Sequence, residues 1–176
     1  MTEIWDLYKR DENGNFHKLD QKGVRGERLP YNTYHMVVMV WLRNSRGEFL
    51  ISRRSSAKSY SLCWEPTGGS ALAGESSVEA ACREVREELG ITLDPTRGKH
   101  VARAPRAYDG CDDFVDVWLF DDVEVAIEEV VVQQEEVSEA MWASPKKIRT
   151  LVEAGSWIPW EKYNPLETIL SWPMSE

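Results

Sequence analysis

Cysteine is scarce and scattered in this chain. Cys63, Cys82 and Cys111 are odd in number, widely spaced and form no Cys-x-x-Cys pair, so neither a disulfide framework nor a zinc knuckle is indicated. No apolar run approaches the length that crosses a bilayer, and the N-terminus is polar. The expectation is a cytoplasmic protein with no membrane partner. Basic residues are also short: 21 Lys and Arg face 30 Asp and Glu, for a net charge of -9. That balance argues against a nucleic-acid polymer as the main partner, and it repels an anionic small molecule unless bound cations reverse the local field. Repeats and low-complexity linkers are absent as well. The 176 residues, 42% hydrophobic, fit a single domain over 1–176. Its expected parts are a hairpin and loop (1–33), a core (34–145) and a C-terminal helix with an aromatic tail (146–176).

What the sequence does have is concentrated in residues 69–91, GSALAGESSVEAACREVREELGI. Ser76 and Glu79 stand at capping-box spacing and Gly90 stands where a left-handed terminator belongs, so a helix is predicted over about 77–89. Val78, Ala81, Cys82, Val85 and Leu89 recur at helical spacing as one apolar stripe. At about 100° per residue, Glu84, Glu87 and Glu88 form a second cluster on the margin of that stripe. Like charges repel at this spacing, and the helix dipole is negative at this end. Something positive must offset them. Arg83 reaches Glu87 at i,i+4, and a cation among the hard carboxylate oxygens suits Mg²⁺ or Mn²⁺. An ordinary solvated acidic face is the plainer alternative, and the glycine loop before the helix counts against it.

The same residues resemble the Nudix box, G-x5-E-x7-R-E-U-x-E-E-x-G-U with U aliphatic. Gly69, Glu75, Arg83, Glu84, Val85, Glu87, Glu88, Gly90 and Ile91 fill every restricted position. The resemblance implies the α/β Nudix fold, a mixed β-sheet sandwiched between α-helices. It also implies metal-dependent hydrolysis of the pyrophosphate bond in a nucleoside diphosphate linked to another moiety, or in a related organic diphosphate. Carried over by position, Glu84, Glu87, Glu88 and the carbonyl of Gly68 resemble metal ligands, Arg83 the residue that orients Glu84, and Glu75 a stabiliser of the loop. Glu84 or another nearby carboxylate would take a proton from the attacking water. The later passage 135–142, E-E-V-x-E-x-x-W, resembles the segment in which a loop glutamate assists; Glu135 is the choice, with Glu136 and Glu139 as alternatives.

Around the box, 4–8 and 16–19 flank a turn at 11–14 and predict a leading hairpin, and 21–32 read as a loop. Residues 34–42, YHMVVMVWL, predict a central strand buried on both faces, and 48–53 the strand that returns from it. Arg53, Arg54 and Lys58 follow as a basic cluster suited to phosphate oxygens, with Arg53 and Arg54 the chosen substrate ligands. His35 reads as structural. Residues 92–107 are polar and proline-broken with strand character near Val101; 114–120 predict a strand, and 123–132 allow another. The acids flanking that strand, Asp109, Asp112, Asp113, Asp121 and Asp122, read as solvated loop ends that could extend a metal site. Ser144-Pro145 opens a helix through about Glu153, and 166–170 allow one more turn. The tail aromatics Trp157, Trp160, Tyr163 and Trp172 read as packing, with base stacking the alternative.

Two rival functions stand beside the hydrolase. The length and the 34–42 strand also resemble type I isopentenyl diphosphate isomerase, which shares the Nudix fold. That enzyme's cysteine follows its tryptophan, whereas here Cys63 precedes Trp64 and the hydrolase box is complete. The other rival is a non-catalytic ligand-binding module, against which the full set Arg83, Glu84, Glu87 and Glu88 argues. Substrate specificity lies in loops outside the box.

Overall fold

A computed structural model describes residues 2–107, 110–159 and 165–174. Asp109, Trp160 and Tyr163, singled out from sequence, lie outside the described residues. The architecture is organised by β3, Tyr34–Arg43, whose apolar run is buried because the strand is central and covered on both faces. One edge of β3 pairs in parallel with β8, Asp113–Phe120, from His35↔Asp113 to Leu42↔Phe120. The other edge is shared in succession by three antiparallel partners. These are β1 (Ile4–Arg10) at Tyr34 and His35, β6 (Thr67–Ser70) at Val37–Val40, and β4 (Phe49–Arg54) at Leu42 and Arg43. Outside these lie β2 (Phe16–Val24) on β1, the short β5 (Trp64–Glu65) and β9 (Val137–Ala143) on β4, and β7 (Lys99–Arg106) on β8.

Strand alternation sorts the side chains into two cores. Met39 and Trp41 of β3, with Val115, Val117 and Leu119 of β8, face α2 (Pro145–Glu153) and α3 (Leu166–Leu170). Trp157 packs there too, stacked on Trp41 with ring centroids 6.0 Å apart. Met36, Val38, Val40 and Leu42 face α1, Ser77–Leu89. The sheet therefore lies between helices, as the sequence predicts. Helix α1 also has its predicted bounds: the Ser76–Glu79 capping box is formed, and Gly90 closes the helix at φ 72°.

Departures from expectation cluster at the sheet's edges. β2 continues to Val24 through residues read as loop, because an exposed edge strand needs no apolar alternation. β9 was not foreseen for the same reason: its polar residues point to solvent while Val137 and Ala143 anchor its ends. Segment 123–132 holds no strand. It carries a short 3₁₀ turn at Ile127–Glu129 and drapes over the end of α1, with Val131 N–H donating to Leu89 O at 3.1 Å and Gln133 N–H to Glu88 O at 3.0 Å. Val123, Val125, Val130 and Val132 pack as a cover on the α1 core, while Ile127 and Val131 are exposed.

The leading hairpin is fastened to the box loop. Ala73 N–H donates to Ile4 O at 2.8 Å, and Gly74 N–H donates to Asp6 Oδ2 at 2.8 Å. Asp6 is buried and also paired with Lys18, at 2.5 Å, and Lys22 of β2. Burial opposes its charged form, but the two lysines and the Gly74 N–H outweigh burial and hold its pKa at about 2, below the ordinary 3.8. A depressed carboxylate contributes stability above the unfolded pKa and loses it as pH falls through the folded one. Asp6→Asn is therefore expected to cost about 2 kcal/mol near neutrality, with the deficit shrinking as pH falls from 4 to 2. Urea unfolding of both chains across that range checks this, and a deficit independent of pH would contradict it.

Candidate active site

The box loop is drawn against the sheet before the helix begins. β6 sets Gly68 and Gly69 opposite Met39 and Val38, and a Cβ on Gly68 would meet Val38 O at 2.2 Å. Gly69 faces the other way, toward α1, where a Cβ would meet Glu84 Oε1 at 2.5 Å. The absent side chain at Gly68 lets the loop close on β3, and that at Gly69 lets Glu84 lie on the loop backbone.

Arg83 organises the carboxylates. Its Nε and Nη2 donate to Glu75 Oε1 and Oε2 at 2.7 and 3.0 Å, and Nη2 also donates to Ser70 O at 2.9 Å. Nη1 donates to Glu84 Oε1 at 2.8 Å and to Glu87 Oε2 at 3.0 Å. Glu75 Oε2 in turn accepts from Leu72 N–H at 2.8 Å, which fits the loop-stabilising role expected of it. Burial by itself would lower the Arg83 pKa, but Glu75 and Glu84 more than compensate and raise it. Burial pushes Glu84 up, opposed by Arg83. Glu88 is pushed furthest, to about 8, because burial dominates and Glu84, Glu65 and Glu136 add to it while Lys58 opposes.

Each fully buried aliphatic side chain contributes about 1.5–3 kcal/mol, and Arg83 and Lys58 offset part of the repulsion among Glu84, Glu87 and buried Glu88. Val85 and Leu89, both at 0% exposure, therefore hold α1 in place despite the acidic crowding.

These groups line a cleft of about 550 Å³. Gly68, Arg83, Glu84, Glu87 and Glu88 form its floor, and Arg54, Lys58 and Glu136 one side. Glu3, Trp5, Arg25, His35, Arg106 and Asp113 line the cleft as well, with Arg25 near enough to Glu136 to help lower its pKa against burial. Arg54 is buried and committed to Glu65, at 2.5 Å, and to Ser59 O at 2.7 Å. Arg53 is not brought to the cleft: it pairs with Glu139 at 2.6 Å and lies over the Trp64 ring. Glu135 also stays out, its side chain exposed while its carbonyl accepts from Ser55 Oγ at 2.7 Å. Its neighbour Glu136 is the cleft residue, 2.5 Å from Lys58. The turn decides between them, since Glu136 N–H donates to Gln133 O at 2.9 Å and so fixes which side chain points inward.

His35 is buried and stacked on Trp5 at 4.0 Å, and burial beside Arg106 lowers its pKa to about 4. It is neutral at pH 7, and its ring serves packing as expected while also edging the cleft. Asp113 is held by Arg106 at 2.6 and 3.0 Å. Asp121 is bound by Arg43 and Lys99, while Asp122 is exposed; neither lines the cleft. Cys63 packs against the α2 face, away from the cleft. Sequence reasoning missed the hairpin wall. The signal was present, because extended residues 3, 5 and 7 share one face and Trp5 and Leu7 are its apolar members.

A family model described as NUDIX domain matches residues 33–162. The chain belongs to the Nudix hydrolase family. The uncharacterised Nudix hydrolase lmo0368 of Listeria monocytogenes is 34% identical over 168 residues, covering 93% of each chain. The crystal structure of DR0079 from Deinococcus radiodurans matches 95% of this chain and 99% of its own with a TM-score of 0.67. At 23% identity, that likeness concerns the fold. An isopentenyl-diphosphate Delta-isomerase of Escherichia coli is 34% identical over 77 residues, 43% of this chain and 42% of that one. Hydrolases of this family act generally on small molecules with divalent metals, and among the described residues no helix is long and apolar enough to cross a membrane.

The two glycines give a contrast that calorimetry can read. Gly68→Ala meets backbone, which cannot yield, and is expected to cost about 1–3 kcal/mol as an overpacked position. Gly69→Ala meets only the end of a flexible side chain; it is expected to unfold near the wild-type temperature with Glu84 turned off Arg83. Equal thermal losses in the two variants would refute this picture.

Proposed function

We propose that this Nudix protein hydrolyses a phosphoanhydride bond in a nucleoside diphosphate linked to another moiety, or in a related organic diphosphate, with Mg²⁺ or Mn²⁺. The observation that carries the reading is Arg83 holding Glu84 and Glu87 together beside buried Glu88 at the floor of the cleft. The donor set is all hard oxygen, which fits these ions in kind. Among the described residues no acidic, histidine or cysteine side chains yet converge to hold an ion, because Arg83 and Lys58 engage the carboxylates. Glu84, Glu87, Glu88 and the Gly68 carbonyl would hold the cation, whose chemistry is to neutralise phosphoryl oxygens and promote attack by water.

The chain's own residues do the rest. Arg83 is a positioning residue that aims Glu84. Glu84 or Glu136 accepts a proton from the water as it attacks phosphorus and the anhydride oxygen departs with the leaving phosphate. Arg54 and Arg25 lend positive potential along the cleft, while Arg53 and Glu135 carry no direct role in this scheme because neither lines it. A cytoplasmic setting belongs to the same proposal, supported by three free cysteines. The isomerase alternative is disfavoured because Cys63 faces the core.

A Mg²⁺ and Mn²⁺ hydrolysis screen over nucleotides, nucleotide sugars, dinucleoside polyphosphates and isoprenoid diphosphates tests the reading. Metal-dependent phosphate or nucleotide release is expected, with Glu84→Gln about 10²–10⁴-fold slower and still folded. Conversion of isopentenyl diphosphate to its isomer, or tight binding with no turnover in either form, would replace it with one of the rivals.

The raised Glu88 adds a pH dependence. A carboxylic acid must lose its proton to bind metal, so apparent metal affinity is expected to rise about tenfold per pH unit toward pH 8 and then level off. Calorimetric titration in buffers of different ionisation enthalpy should show about one proton released per ion below pH 8. Affinity flat from pH 6 to 9 would remove Glu88 from the ligand set.

A further inference from the structure

The cations of the cleft are not equally committed. Arg83 has five acceptor oxygens on four residues, and Arg54 is held by Glu65 and Ser59. Lys58 is held differently: its Nζ lies 2.5 Å from Glu136 Oε2 and 3.8 Å from Glu88 Oε1, at the end of a flexible four-carbon stem. Its backbone is fixed where three elements meet. Ser55 N–H donates to Glu136 O at 2.9 Å, Lys58 N–H donates to Ser55 O at 3.3 Å, and Gln133 N–H donates to Glu88 O at 3.0 Å.

We propose that Lys58 is the internal counter-cation of this site, standing beside Glu88 where a divalent ion would bind, and that once displaced by the ion it becomes a ligand for the substrate's phosphate oxygens. The inference rests on the metal-dependent reading above. An ammonium and a divalent ion beside one buried carboxylate repel each other, and Lys58, 3.8 Å from Glu88 Oε1, yields more easily than Arg83, whose fork is also anchored on Glu75 and Ser70 O. The stem of Lys58 allows that departure while its backbone stays tied to the loop. The head then remains within the cleft, which Arg25 and Arg106 also line, and a lysine binds phosphate as a mobile point charge. Arg53, one of the two substrate ligands chosen from sequence, is turned away from this space.

The test is Mn²⁺ binding to the full chain without substrate, followed by electron paramagnetic resonance of the free ion. Lys58→Met is expected to bind Mn²⁺ about three- to tenfold more tightly than wild type, while Lys58→Arg, which keeps the charge, stays close to wild type. The same Lys58→Met is expected to raise KM for the diphosphate substrate more than it lowers kcat. In the wild-type chain, which needs no variant to fold, the Lys58 side-chain nuclear resonance is expected to move on addition of Mg²⁺. Measurable but equal or weaker metal affinity in Lys58→Met, or a Lys58 resonance indifferent to Mg²⁺, overturns the role of Lys58 and leaves the hydrolase reading standing. No Mn²⁺ binding by wild type or variant overturns both.

Discussion

Everything in the cleft depends on keeping three carboxylates close together at the edge of a buried helix face. Coulomb repulsion alone would spread them, and the negative end of the helix dipole worsens it. The Arg83 guanidinium relieves this for two of them by reaching Glu75, Glu84, Glu87 and the Ser70 carbonyl at once, a task suited to a planar fork of donors, while Lys58 stands 3.8 Å from Glu88. Loop and helix are thereby locked into one body. The apolar stripe of α1 then holds that body on the sheet, and the glycines of β6 let it approach closely.

Much of this was legible in the sequence, for local reasons. The bounds of α1 follow from a cap at Ser76 and a terminator at Gly90, both decided within a few residues. β3 announces itself because a central strand is apolar on both faces, and β8 because 114–120 alternates. The edge strands did not: β2 and β9 are polar where they meet water, and their pairing is set by partners distant in sequence. The covering segment 123–132 carries apolar residues at strand-like intervals, but its hydrogen bonds go to the end of α1.

The same division applies within the site. Arg83 with Glu84 and Glu87 could be read from spacing, since neighbours on one helix have fixed geometry. Between Glu135 and Glu136, only a turn anchored by Gln133 selects the inward residue, and no periodicity reports it. Arg53 and Arg54 alternate on a strand, so only one can face the cleft, and the sheet register sends Arg53 toward Glu139. The wall built by Glu3, Trp5 and Arg25 lies outside the residues that the family model matches. It is invisible to any reading that begins at the box.

The parallel pairing of β3 with β8 has a temporal consequence. Its partners are separated by 78 residues, as from His35 to Asp113, and the cleft draws side chains from Glu3 through Glu136. Such non-local contacts are made late, because the entropy of closing the intervening chain must be overcome first. A ribosome that has released only the hairpin, β3 and the box helix has therefore exposed an acidic helix with half a sheet, beside a cleft that still lacks Arg106, Asp113 and Glu136. During synthesis the cleft is completed only after β8 and the turn that carries Glu136 have emerged.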